Sequence, residues 1–457
     1  AADVSLALEG LHVRTAGVHA ALPGTRLAAR LDAGGDSIEV VATFAGPSVD
    51  LGAGSRTLQA TDVAAEARVR LPRDADLRKA SLSMSASIGS AAQDLYTPYP
   101  VRNLSVSAQA EVSPDAVRLE RFVLDHPAGG TRLEFSADAT LGRQVAMASR
   151  QAVPGALRAR SLRVEGTLNQ DLASLSGDPA AFRGTGHVRV PFRVESGDGT
   201  RLDLLASLES PGASFQLPAA GFSLEGARGR MAVTEELELG PDGRLSIVQG
   251  PRGSPWSRVR FHDVNPYLHG GWFAADRVAA GSLQAGPLAG NLRLDRTVLS
   301  LDQLQAAWRG GKVTGLLVLD RGADDTRVWF KGDATGIQAG SKGEGLDANA
   351  ALHLSLRNLE VDGRVQFLRI GRGHLRRLLD LWDPAMENVS ANRIRKVLGI
   401  GYPKAARVRL DGGFLSARVE LGGIASVVRI DEVRGIPVGP LLRRTLGDVL
   451  PAQGGTP

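Results

Sequence analysis

The chain has 457 residues and a formal net charge of +5; 43% of its residues are hydrophobic, 23% are charged and 55 are glycine. This composition is too apolar for a disordered chain and too charged for a bundle of membrane helices, and no stretch approaches the roughly 18 uninterrupted apolar residues of a spanning helix. Cysteine is absent, which excludes a disulfide scaffold, thiolate metal sites, iron–sulfur clusters and cysteine nucleophiles.

Alternation with a period of two runs almost from end to end and predicts antiparallel strands with one wet and one dry face. It starts at Val4, Leu6 and Leu8, directly after Ala1-Ala2-Asp3. No basic n-region or apolar h-region precedes it, so any signal peptide or anchor is expected to be absent from this chain. Val63 to Leu71, Leu82 to Ile88, Leu104 to Val112, Val117 to Leu124 and Leu133 to Leu141 continue the pattern. Val188 to Val194, Leu202 to Leu208 and Leu352 to Leu356 repeat it later. Turn signals separate these runs, among them Pro114-Asp115, Gly129-Gly130, Gly197-Asp198-Gly199, Gly310-Gly311 and Asp411-Gly412-Gly413. Strand plus turn takes roughly 9 to 13 residues, which predicts on the order of thirty strands.

Residues 1–240 read as a first β segment, 241–271 as an irregular loop or boundary rich in proline, and 272–372 as a second β segment. Helical spacing is confined to the late part of the chain. Leu375, Leu378, Leu379 and Trp382 predict a helix over 373–382. Pro384 suits the start of a second helix that carries Met386, Val389, Ile394, Val397 and Leu398 and stops at Gly399, completing a helical insertion over 373–400. Residues 401–457 read as strands closed by a short amphipathic helix over 438–450, with Arg443 and Arg444 beside Leu441, Leu442 and Leu446.

Enzyme signatures are missing, and the chain is expected not to be an enzyme and to need no cofactor. There is no G-x-S-x-G elbow, P-loop, H-E-x-x-H or EF-hand pattern. Gly371-Arg372-Gly373 only begins a dinucleotide-like pattern, because Arg376 stands where a third glycine belongs. The eight histidines show no ligand spacing, so no metal site is expected. Between Arg357 and Arg444 there are 17 basic and 9 acidic residues, a bias that suits an anionic surface. Nucleic acid is not an expected partner, since Trp382, Tyr402, Phe367 and Phe414 are the only aromatic rings there other than histidine.

The dry faces leave two arrangements open: a filled core between sheets, or a trough that holds lipid acyl chains. A lumen-forming outer-membrane barrel lacks support, with aromatic residues at 5%. The block Leu283-Gln-Ala-Gly-Pro-Leu288-Ala-Gly-Asn-Leu292-Arg-Leu294, followed by Val298-Leu-Ser-Leu301-Asp-Gln-Leu304-Gln-Ala-Ala-Trp308-Arg-Gly310-Gly311-Lys-Val313-Thr-Gly315, resembles the AsmA-like family of bacterial envelope proteins. The segment from Ala405 to Gly423 is similar to that family's C-terminal region. The resemblance implies a mainly β fold, a long antiparallel meandering sheet curled into an elongated hydrophobic trough, with a few late amphipathic helices. It also implies a periplasmic protein tethered to the inner membrane through an N-terminal anchor, which this chain does not show, and transfer or shielding of phospholipid between the inner and outer membranes.

On this reading the inward candidates are Val106, Phe135, Phe192, Leu204, Leu292, Leu317, Phe330, Leu354 and Phe367. Arg376, Arg377, Leu378, Leu379 and Trp382, with Arg443 and Arg444, are expected to meet a membrane surface or envelope membrane proteins. The alternative is a periplasmic scaffold that assists outer-membrane protein assembly, with a filled core and no lipid.

Overall fold

The computed structural model describes residues 2–15, 18–34, 36–53, 56–72, 80–93, 101–113, 115–143, 157–175, 179–198, 200–239, 245–248, 271–281, 283–295, 298–321, 325–338, 345–422 and 428–440. Among them are 26 strands and two α-helices. The protein is mainly β, and every strand pairing with a resolved register is antiparallel. The chain divides into two compact units. The first holds Ala1–Pro179, Gly184–Leu208 and Thr234–Val248; the second holds Ala180–Arg183, Glu209–Val233 and Gln249–Pro457.

The first unit is a meander. It opens with β1 (Ala2–Thr15), β2 (Val18–Gly34), β3 (Ser37–Ala53), β4 (Arg56–Pro72) and β5 (Ala80–Gln93). It continues through β6 (Val101–Val112), β7 (Ala116–His126), β8 (Thr131–Arg143) and β9 (Leu157–Asp171). After the short β10 (Arg183–Thr185), β11 (His187–Ser196) pairs with β9, and each earlier strand pairs with the next in sequence.

Strands β2, β3 and β4 are each 17 residues long, longer than the turn signals predict. The reason is a line of local kinks that leaves the strands continuous. The ladder skips Pro47 opposite Asp62, then Asp62 opposite Gly89, then Gly89 opposite Asn103. Gly24, Asp62 and Asn103 there have φ of +61°, +53° and +56°. A proline without an N–H and residues in left-handed geometry interrupt a ladder without ending it. Gly46-Pro47 therefore lies inside β3.

Strands β12 (Arg201–Leu217) and β13 (Phe222–Leu239) follow, and β14 (Leu245–Ile247) pairs with the end of β13. The 241–271 stretch expected as an irregular boundary otherwise lies almost wholly outside the described residues. The second unit continues with β15 (Trp272–Ala275), β16 (Arg277–Ala280), β17 (Leu283–Ala285) and β18 (Leu288–Asp295). Its meander then runs through β19 (Val298–Trp308), β20 (Gly311–Arg321), β21 (Thr326–Gln338), β22 (Gly345–Ser355) and β23 (Glu360–Arg369). Two helices, α1 (Arg372–Trp382) and α2 (Val389–Val397), precede β24 (Tyr402–Asp411), β25 (Phe414–Gly422) and β26 (Val428–Pro437).

The second helix begins at Val389, five residues later than Pro384 suggests. Asp383 accepts hydrogen bonds from the backbone N–H groups of Glu387 and Asn388 at 3.0 and 3.2 Å, which holds 383–388 as a turn. Asn388 then caps α2 by accepting from the Ala391 N–H at 3.0 Å. Together α1 and α2 form a cover over the last strands. Leu375, Leu379, Ala391 and Ile394 are fully buried against Phe367, Ala406, Ala417, Val419, Leu421 and Val433. The third predicted helix falls mostly outside the described residues, and Arg443 and Arg444 lie entirely outside them.

Candidate functional site: an uncovered apolar sheet face

Directly paired residues of an antiparallel ladder share a face, so the register of the first unit sorts its side chains. One row runs Leu27, Phe44, Ala65, Ala86, Val106, Leu124, Leu133, Leu168, Val190 across β2 to β9 and β11. The next, two positions along each strand, runs Ala29, Ala42, Ala67, Met84, Ala108, Phe122, Phe135, Gly166, Phe192. A third runs Leu31, Val40, Val69, Leu82, Ala110, Leu119, Ala137, Val164, Val194. Every position is apolar or, at 166, glycine.

None of these side chains is buried. Leu27, Leu31 and Met84 are 37%, 44% and 42% exposed, and the rest are mostly half-buried. Neighbours in the row cover their flanks and leave their tops open. Both clusters of buried apolar side chains among the described residues lie in the second unit.

The reverse face of the same strands is polar. One of its rows reads Ala28, Thr43, Glu66, Ser85, Ser107, Val123, Glu134, Thr167, Pro191. Ion pairs lace it, including Arg121 with Glu134 at 2.9 Å, Arg163 with Glu165 at 2.7 Å and Arg68 with Glu39 at 3.3 Å. The Arg163 guanidinium hydrogen-bonded to Glu165 holds that carboxyl below its usual range. Exposed pairs of this kind contribute little stability each. Their consequence is directional, because they commit this face to water and the other to something apolar.

Aromatic side chains concentrate in the middle row. Phe122 and Phe135 stack with centroids 4.6 Å apart. Gly166 makes their neighbourhood possible: a Cβ there would lie 2.8 Å from Phe192 Cζ and 2.5 Å from the Glu134 carbonyl oxygen, and closer still to Phe135 Cβ. Gly166→Val should therefore lower stability by about 1–3 kcal/mol, the usual cost of overpacking. Urea unfolding checks this, and an unchanged midpoint would show that the two rings do not close over residue 166.

Of the residues singled out in sequence, Val106, Phe135 and Phe192 share this face. Leu204 lies on β12 between Leu202 and Ala206, both buried. In the second unit Leu292, Leu317 and Phe330 share one row with Leu301, Leu352, Gly363, Leu410, Leu415 and Ile436. Leu354, two residues from Leu352, shares its side of β22, and Phe330 packs partly against the cluster of Leu224, Leu288 and Leu304.

Three expectations need correction. Phe367 is buried in a closed core under the helices, so it does not line an open face. Leu379 is fully buried and Trp382 is 8% exposed, both turned into that core, so neither meets headgroups; Leu378 also packs partly against it. Arg376 and Arg377 are exposed. Conversely, Met386 and Val389 were read as the apolar side of a helix, yet they are among the most exposed apolar side chains described.

No convergence of three or more histidine, aspartate or glutamate side chains suited to a metal occurs among the described residues. No described helix is long and apolar enough to cross a membrane. In comparisons with known proteins, the chain matches no family model, no curated protein and no solved structure.

Proposed function

We propose that this protein binds phospholipid without catalysis, laying acyl chains against the apolar face of β2 to β9 and β11. The observation that carries this reading is the uncovered set of three apolar rows, backed by a salt-bridged polar face. Leaving that much apolar surface in water is costly at about 25 cal/mol per Å², and contiguous exposed apolar surface marks a binding site. Acyl chains suit it chemically. The rows contain no donor, acceptor or charge to read a polar ligand, and at a strand spacing of about 4.8 Å one extended chain crosses several strands. The resemblance to AsmA-like envelope proteins supplies the setting: a periplasmic carrier or shield for lipid passing between inner and outer membranes, tethered to the inner membrane. The sheet curls into a trough around the lipid in this proposal.

Native mass spectrometry of gently purified protein, followed by lipid extraction, tests the reading. Several phospholipids should accompany the chain, and Phe135→Asp should reduce them several-fold while circular dichroism stays unchanged. A lipid-free mass for the unaltered protein would replace this reading with the scaffold, which has a filled core and no lipid.

A further inference from the structure

The helical cover over β23 to β26 presents an outward surface with a second pattern. Its inner side is efficiently packed, yet Ile400, Val389 and Met386 are 76%, 72% and 59% exposed, the three most exposed large apolar side chains among the described residues. Val389, Arg393, Lys396 and Ile400 follow one another at helical spacing along α2 and just past its end, and all four are exposed. On α1 the exposed residues are Arg372, Arg376, Arg377, Asp380 and Leu381.

Charge on this surface is ordered by one mostly enclosed side chain, Arg395. Residues 372–400 contain three carboxylates, at Asp380, Asp383 and Glu387. Arg395 hydrogen-bonds to Asp380 at 3.1 Å and to Asp383 at 3.0 Å. Its single positive charge is shared between two of the three acidic groups, and it does not face outward, with 12% of its side chain exposed. Arg372, Arg376, Arg377, Arg393 and Lys396 are exposed together with Asp380 and Glu387, five cations to two carboxylates. The result is a basic surface studded with separate apolar tips, not a continuous groove.

We propose that this surface docks the protein on an anionic lipid bilayer, with Met386, Val389 and Ile400 entering the headgroup–acyl boundary and the cations meeting phosphate. A protein groove would need a contiguous apolar stripe; isolated apolar tips among cations suit an interface where every tip finds acyl chains and every cation finds an anion. The proposal uses different side chains from the lipid-binding rows and is tested separately from them.

The 457-residue chain has no cysteine, so Val389→Cys and Ile400→Cys each create a single labelling site for an environment-sensitive fluorophore. The full chain, labelled at either site, is mixed with vesicles of phosphatidylcholine alone or with about one-quarter phosphatidylglycerol. Both labels should shift to the blue on the anionic vesicles only. The vesicle concentration for half-shift should rise at least tenfold with Arg376→Glu and Lys396→Glu together, and rise with salt. A label introduced by Phe135→Cys reports the apolar rows independently, so lipid uptake there cannot be mistaken for docking. Absence of a shift at both cover sites, or an equal shift on neutral vesicles that survives the charge reversals, overturns the proposal. A shift produced only by added membrane protein and not by lipid overturns it too.

Discussion

Arg395→Met should destabilise the helical cover by about 3 kcal/mol, near the lower end of what removing one partner of a buried ion pair costs. The arginine does five things at once. Its Nε meets Asp380, its Nη1 meets Asp383 and the Asn392 carboxamide, and its Nη2 donates to the Leu379 and Asp383 carbonyls at 2.7 Å each. Those two carbonyls lie at the C-terminal end of α1 and also accept from the Asp383 and Met386 N–H groups at 2.9 and 3.2 Å, so the guanidinium adds a second donor to each. Methionine fills much of the volume but leaves the Asp383 carboxylate, 9% exposed, without its cation. Arg395→Lys should recover only part of the loss, because an ammonium cannot span the fork. Hydrogen exchange of the α1 and α2 amides, alongside urea unfolding, measures both variants; a loss below about 0.5 kcal/mol for methionine, the range of ordinary surface changes, would mean the fork is not what joins the helices.

Leu379→Ala is expected to cost about 2–5 kcal/mol, the range for deleting a fully buried leucine from a packed site. Leu379 sits between the helices and the sheet with no exposed surface, and its neighbours Leu375 and Ile394 are equally enclosed. Beyond stability, this variant exposes what the cover hides. Phe367, Val408, Ala417 and Val433 form a continuation of apolar sheet beneath it, so a dye that fluoresces on apolar surface should bind more strongly to the variant than to the parent. Equal dye signal together with a full loss of stability would show that the strands unfold together with the helices.

The strands, their antiparallel pairing and most of the turns were legible because side-chain alternation and Gly/Asp/Pro clusters are local signals. Asp411-Gly412-Gly413 separates β24 from β25 as expected. A kink inside a strand and a turn between strands use the same residue types, as Gly46-Pro47 inside β3 shows; only the partner strand, with Asp62 opposite Pro47, distinguishes them. The face shared by Val106, Phe135 and Phe192 follows from alternation carried faithfully through the register. Phe367 continues a similar alternation, yet its environment is set by helices that follow it in sequence and fold back. Trp382 and Val389 show the same limit from the other side. Both are apolar residues at helical spacing; Trp382 turns inward on the Leu375–Leu379 stripe of α1, whereas Asn388 and Asp383 set where α2 begins and leave Val389 outward. Helical periodicity gives an apolar stripe only once the first residue of the helix is fixed.

The meander has a consequence for how the molecule is made. From β1 to β9 each strand's register is set by the strand before it, so little of the first unit waits on distant sequence. Chains with local pairing close short loops and fold quickly for their size, and arrays in which units touch mainly their neighbours gain and lose structure from their ends. Such a sheet grows like a zip: as synthesis delivers the chain, each new strand finds a free edge already shaped to receive it. Denaturation should run the same track in reverse, as a front moving inward from an end, with amides near β5 and β6 exchanging later than those of β1.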